Sequence, residues 1–229
     1  MAFDNANSLG RIGVLMGGPS SEREISIKSG KAVTAALQDK HCDVVPVVLD
    51  SKDEDLLAAR LRDESVDIVF IALHGAFGED GTVQKILDQR HVPYTGSGSD
   101  ASRVAMNKIS TLEKLKPVDI PSPGHVVMSS GEQRDFQSLV ASLGGTMFVV
   151  KPASQGSSIG ISIVSSENAF QEALRQAFAL DSEVLVERYI QGKEITAGIL
   201  GGEALPLVEI RPHCSFFDFQ AKYQSGMSE

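Results

Sequence analysis

The chain has 229 residues, 42% of them hydrophobic, and a formal net charge of −9 from 30 acidic and 21 basic side chains. That balance fits a globular protein with a core large enough for one large domain or two to three small ones, and it excludes wholesale disorder. It also excludes a nucleic-acid partner, because no basic stripe rises above the acidic background.

The N-terminal stretch MAFDNANSLGR lacks the basic-then-apolar order of a signal peptide, and no later run reaches the ~20 apolar residues that span a bilayer. A cytoplasmic protein with no membrane partner is expected. Arg11 to Met16 is a short apolar run broken by Gly17-Gly18-Pro19, and Ser21 with Glu24 three residues later predicts a capping box opening a helix. An apolar stripe of Ile25, Ala32, Val33, Ala36 and Leu37 predicts that this helix packs on a sheet. Asp43 to Leu49 follows as a strand, with Pro46 pointing to an edge position. Asp53 to Glu64 reads as an amphipathic helix, and Val66 to Leu73, apolar almost throughout, as a parallel strand covered on both faces. Strands alternating with helices over this part predict an α/β parallel sheet.

Thr82 to Arg90 reads as a helix, Val92 to Gly98 as a short strand ending in a turn, and Ser99 to Leu115 as a helix carrying Lys108. Pro117, Pro121 and Pro123 then break the chain before a strand at Gly124 to Met128. A second unit follows: helix Glu132 to Leu143, strands Met147 to Val150 and Gly160 to Val164, helix Glu167 to Phe178, strand Glu183 to Glu187. A hairpin link predicts an antiparallel or mixed sheet. A last β-hairpin is expected from Glu194 to Leu200, turning at Gly201-Gly202 into Glu203 to Ile210. Cys42 and Cys214, with no CxxC spacing or histidine pair beside them, suggest neither a disulfide frame nor a zinc site and read as buried thiols.

Two stretches carry chemistry. In Lys151 to Gly160, KPASQGSSIG, the glycines let the backbone close around an anion, Ser157 and Ser158 add hydroxyl donors, and Lys151 supplies charge. The lysine precedes the glycines, which disfavours a Walker-type loop, and such a stretch by itself is more often than not an ordinary solvated turn. His74 to Gly81 and Gly17 to Glu24 both follow strands of the parallel sheet, where ligands of open α/β sheets gather. Glu22 and His74 could therefore share a cleft. Alternatively, Glu22 complements its helix N-terminus and His74 bonds within its own loop.

Taken together, GGPSSEREIS (17–26), LHGAFGEDG (73–81), MNK (106–108), VKPASQGSSIG (150–160), LVERYIQGKEIT (185–196) and FDFQAKY (217–223) resemble D-alanine–D-alanine ligases of the ATP-grasp superfamily, over essentially the whole chain. The resemblance implies an N-terminal Rossmann-like α/β domain (1–98) that binds substrate. It also implies an ATP-grasp α+β fold made of a central subdomain with the phosphate loop (99–190) and the start of a C-terminal one (191–229) whose last sheet is incomplete. The implied reaction phosphorylates the carboxylate of one D-alanine with ATP, after which the amine of a second attacks the acyl phosphate.

Residue by residue, Lys108 and Lys151 match the lysines on the nucleotide phosphates, and Ser157 and Ser158 the loop that closes over them. Glu187, Arg188 and Ile190 match the strand edge that reads adenine, and Glu194 the carboxylate on the ribose. Glu22 matches the anchor for the first D-alanine's ammonium, tied to a lid through Ser157 and Tyr223. His74 matches the histidine near the substrate carboxylate, and Lys222 the lysine facing the transferred phosphoryl group. Retention of Tyr223 implies an amine rather than a hydroxy-acid acceptor.

Asn107 departs from the aspartate usual before the lysine. The family's ligands for Mg²⁺ or Mn²⁺ are expected beyond residue 229, so no metal ligand is assigned within this sequence, which reads as C-terminally truncated. A homodimer is the family expectation. A nucleotide-binding remnant without ligase activity, or another ATP-grasp carboxylate–amine ligase, stands as the alternative reading.

Overall fold

The computed structural model describes residues 9–211. The chain divides into two compact units, with the division between Asn107 and Lys108.

The first unit is built on β1 (Ile12–Gly17), β2 (Val44–Leu49) and β3 (Ile68–Ile71), parallel and in the order β2-β1-β3. The expected parallel sheet is present, and Pro46 lies on its edge strand, opposite Val14. Beyond β3 the predicted strand around Val92 shrinks to one parallel bridge, Val69 to Tyr94. Side chains alternate along β1 as a pleated strand requires. Val14 and Met16 pack on the side of α1 (Arg23–Asp39), while Leu15 joins Leu57 and Leu61 of α2 (Glu54–Asp63) and Val83, Ile86 and Leu87 of α3 (Thr82–Gln89).

The buried face of α1 differs from the expected one. Ser26, Gly30 and Thr34, four residues apart, face the sheet; Val33 and Leu37 are half-buried; Ala32 and Ala36 are exposed. Small residues are needed because the helix runs close over Met16, where a Cβ at Gly30 would collide with the methionine side chain. The capping box is absent: Glu22 is the N-cap and makes no side-chain cap bond. Cys42 is half-buried rather than buried, and Cys214 lies outside the described residues.

The predicted helix from Ser99 is two helices, α4 (Ser99–Met106) and α5 (Lys108–Leu115), separated by an extended Asn107 at φ −95°, ψ 113°. The second unit continues through a 3-10 turn into β4 (His125–Ser129), α6 (Phe136–Leu143), β5 (Phe148–Pro152), β6 (Ser162–Val164), α7 (Glu167–Phe178) and β7 (Glu183–Arg188). Its sheet is antiparallel throughout, in the order β4-β7-β5-β6. Helix α6 starts later than predicted because Asp135, accepting from Ser138 N–H, is its cap. Phe136, Phe148 and Phe170 fasten α6 and α7 to the sheet, the first two rings edge-on at 5.2 Å.

The last hairpin is interrupted. β8 (Glu194–Thr196) pairs with β11 (Val208–Ile210), and β9 (Ile199–Leu200) with β10 (Glu203–Ala204) at the tip, as two separate short ladders.

Candidate functional site

In the first unit the turn after β1 and the loop after β3 converge at the carboxyl ends of adjacent strands. Gly17 and Gly18 turn the chain with φ of +87° and +83°, values that glycine adopts without strain. Arg23 braces that turn, donating to Gly18 O at 3.2 Å and pairing with Asp50. Ser26, fully buried, accepts from Gly17 N–H (2.9 Å) and donates to Ala72 O (2.7 Å), so one hydroxyl joins the ends of β1 and β3.

The loop after β3 is as tightly held. Asp80 accepts from the N–H groups of Phe77 and Thr82, both at 2.9 Å, and Gln84 donates to Gly78 O at 2.7 Å. Burial alone would raise the Asp80 pKa; the hydrogen bonds from Phe77 and Thr82 outweigh it and hold the carboxyl below its ordinary range. Phe77 carries φ +77° in a fully packed position, a conformation unfavourable for a non-glycine residue.

This framework brings Glu22 and His74 together. Glu22 is 3% exposed, and a Cβ placed on Gly75 would run into its carboxylate. The His74 ring is held from both sides, Nε2 at 3.0 Å from Ser29 Oγ and Nδ1 at 3.4 Å from Glu79 Oε1. The hydrogen bond to Glu79 raises its pKa above the ordinary value; burial opposes this, and the charges of Glu79 and Glu22 reinforce it. A nearly buried carboxylate thus lies within electrostatic reach of an imidazole whose charged form its surroundings stabilise.

In the second unit Lys151 lies within β5, not after it, and its ammonium pairs with the carboxylate of Glu187 on β7. Glu187 is 7% exposed, so it is not a solvated strand-end carboxylate. Lys108 opens α5 and donates through Nζ to Pro152 O (3.0 Å) and Gln155 O (2.6 Å), while its own N–H donates to Ala153 O. It therefore ties down the start of the Ala153–Gly160 loop. Within that loop Ile159 N–H reaches Gly156 O at 3.0 Å, and the two residues between them, Ser157 and Ser158, both take positive φ (50° and 60°). A tight turn of this hand favours glycine or asparagine; two serines hold it at a cost of roughly 1 kcal/mol each. Gly160, at φ +72°, closes the loop against Pro152 and Leu180.

Arg188 ends β7 with its N–H on Gly124 O, Ile190 is exposed just beyond, and Glu194 opens β8 on an exposed face. Lys222 and Tyr223 lie outside the described residues. Ser20, Ser26, Ser29 and Glu79 were not singled out by the sequence. Their signal was available in part: Ser26 belongs to the small-residue face of α1, Ser29 lies beside it, and Glu79 belongs to the glycine-framed HGAFGEDG block.

Two family models match the chain, "D-ala D-ala ligase N-terminus" over residues 11–58 and 52–97 and "D-ala D-ala ligase C-terminus" over 115–229. A D-alanine–D-alanine ligase of Syntrophotalea carbinolica is 44% identical, the alignment covering 96% of this chain and 69% of the relative. One from Geobacter sulfurreducens is 47% identical, covering 96% and 67%. Among solved structures, a D-alanine–D-alanine ligase from Bacillus anthracis superposes with a TM-score of 0.81 at 38% identity, covering 96% of this chain and 70% of that one. A structure of the Bacillus anthracis ligase complexed with ATP gives 0.78 at 37% identity, covering 90% and 68%.

Proposed function

The chain belongs to the D-alanine–D-alanine ligase family, and we propose that its own residues perform that family's ATP-dependent, ADP-forming joining of two D-alanines for peptidoglycan precursors. The observation that carries this reading is that a nearly buried carboxylate, Glu22, lies within electrostatic reach of His74 at the ends of adjacent parallel strands. A nucleotide-binding module would have no chemical use for that pair.

In the reaction, a carboxylate oxygen of the first D-alanine attacks the γ-phosphorus of ATP, and ADP leaves. The amine of the second D-alanine then attacks the acyl phosphate, inorganic phosphate departs, and the amine gives up a proton to solvent. Glu22 binds the ammonium of the first D-alanine as a fixed counter-charge. His74, its two ring nitrogens held by Ser29 and Glu79, sets a positive charge near that carboxylate, and the raised pKa keeps the ring charged further into the neutral range.

The phosphate-handling residues belong to the second unit, and their chemistry fits a nucleotide. Lys151 and Lys108 offer ammonium groups, and the left-handed turn at Ser157 and Ser158 forms the kind of backbone concavity that holds anions. Both lysines already have partners in the chain, so phosphate binding exchanges Glu187 and loop carbonyls for phosphate oxygens. Glu187, Arg188 and Ile190 take the adenine edge and Glu194 the ribose.

Mg²⁺, when bound, supplies charge neutralisation at the phosphates. Among the described residues no group of three or more His, Cys, Asp or Glu gathers that could hold it, and no step is assigned to it. Among those residues, too, no helix is long and apolar enough to cross a membrane. The protein would act in the cytoplasm as a homodimer.

The test is release of ADP and phosphate from ATP with and without D-alanine. On a chain extended past Glu229, where the metal ligands are expected, D-alanine-dependent release should appear, reduced on the order of 10²-fold by Glu22→Gln and by Lys151→Met. ATP binding with no response to D-alanine would instead favour a nucleotide-binding module.

A further inference from the structure

Ser20 is half-buried in the turn after β1, and its hydroxyl uses both of its hydrogen-bonding capacities between the two loops. Oγ donates to His74 O at 2.7 Å and accepts from Glu22 N–H at 3.2 Å. The same side chain lies beside Gly75, where a Cβ would come within 3.2 Å of both Ser20 Cβ and Oγ. A hydroxyl is the smallest group that donates and accepts at once, so no aliphatic residue can replace it here.

We propose that Ser20 is the positioning residue that sets the separation of Glu22 and His74, and thereby the fit of the first amino acid between them. The inference rests on the amino-acid-binding reading of Glu22 and His74. The bonds of Ser20 to His74 O and Glu22 N–H act on the backbone groups from which those side chains spring. Ser26 bridges the same two segments one layer deeper, but its partners are the strand-end groups of Gly17 and Ala72. Ser26 therefore holds the fold together, whereas Ser20 fixes the mutual position of two functional residues. Losing the Ser20 bridge frees the outer turn to move while β1 and β3 stay joined. Displacements of about 1 Å at reacting groups are worth up to 10²-fold.

The experiment measures D-alanine affinity by calorimetry on the 229-residue chain and follows the His74 ring by NMR titration, for the wild type, Ser20→Ala, Ser20→Thr and Glu22→Gln. Ser20→Ala is expected to lose about tenfold in affinity, the equivalent of one hydrogen bond's positioning. It should also lower the His74 titration point, because the Glu22 charge moves away from a ring whose other charged neighbour is Glu79. Ser20→Thr, which keeps the hydroxyl, should restore both.

If Ser20→Ala binds like the wild type while Glu22→Gln does not, Ser20 has no positioning role and the reading of Glu22 survives. If Glu22→Gln binds like the wild type, the reading of Glu22 falls, and with it this inference. A Ser20→Ala chain with weakened binding but an unmoved His74 titration also overturns it. Should Ser20→Ala fail to fold, Ser20→Cys, whose thiol is a weak donor, takes its place with the same outcomes.

Discussion

Lys151 of β5 and Glu187 of β7 form an ion pair across neighbouring antiparallel strands, diagonal to the direct partners Val149 with Glu187 and Lys151 with Leu185. Glu187 is almost fully buried and Lys151 partly so, and replacing either leaves the other's charge poorly solvated. Glu187→Ala is expected to cost roughly 1–3 kcal/mol in denaturant unfolding. Lys151→Met, which on the proposed function also removes a phosphate ligand, should raise the ATP Kd at least about tenfold in a nucleotide titration. Equal effects of both substitutions on ATP binding and on stability would mean that Lys151 serves only the fold.

Lys108 restrains the loop from Ala153 to Gly160 through two carbonyls at its start. Lys108→Met should loosen that loop, seen as faster amide exchange over residues 153–160, and weaken ATP binding by about tenfold or more. Lys108→Arg should retain part of both, since a guanidinium donates to carbonyls but with a different reach.

Gly75 lies where a side chain would meet Glu22, at φ +69°. Gly75→Ala is expected to destabilise the protein by about 1–2 kcal/mol through backbone strain. It should also raise the KM for the first D-alanine by pushing the carboxylate aside. A stability loss with unchanged KM would show that Glu22 has room to shift.

The two perturbed groups of the loop after β3 work in opposite directions on pH. His74 binds its proton more tightly folded than unfolded, so its stabilising contribution is complete below its ordinary value of 6.5 and is lost as pH rises through the higher folded value. Asp80 holds its proton less tightly folded. Its contribution is present above the ordinary 3.8 and is lost as pH falls through the lower folded value. Glu79→Gln should bring the His74 NMR titration down, and Asp80→Asn should flatten the acid limb of a stability-against-pH curve.

Much of the fold was legible because its signals are local. The apolar runs at Arg11 to Met16 and Val66 to Leu73 gave β1 and β3, though β3 is only Ile68–Ile71 and mostly half-buried instead of covered on both faces, and the Lys151 to Val164 hairpin announced an antiparallel neighbourhood. The misreadings have more than one cause, a local cap at Asp135 for the start of α6 and close packing for the face of α1. Helix α1 buries Ser26, Gly30 and Thr34 instead of its alanines because Met16 lies too close for larger groups. Asn107 divides a stretch with helical composition because its backbone is extended. Among the candidate residues, Glu22 and His74 in the first unit and the two lysines in the second stood out through their motifs. Ser20 and Ser29 did not, since a serine in a turn or on a helix is ordinary until its hydroxyl is seen bridging distant segments. The ion pair of Lys151 with Glu187 was equally hidden, being a matter of register between strands far apart in sequence.

Pro46 has a consequence for how copies of this protein treat one another. An outer strand with a full row of amide donors is a template on which a neighbour's strand can align and propagate into aggregates. β2 carries a gap in that row at its middle, where the pyrrolidine ring has no hydrogen to give. Crowded molecules of this protein therefore meet a flank that refuses to be extended, and substituting valine there would remove that safeguard without disturbing a single side chain of the reaction.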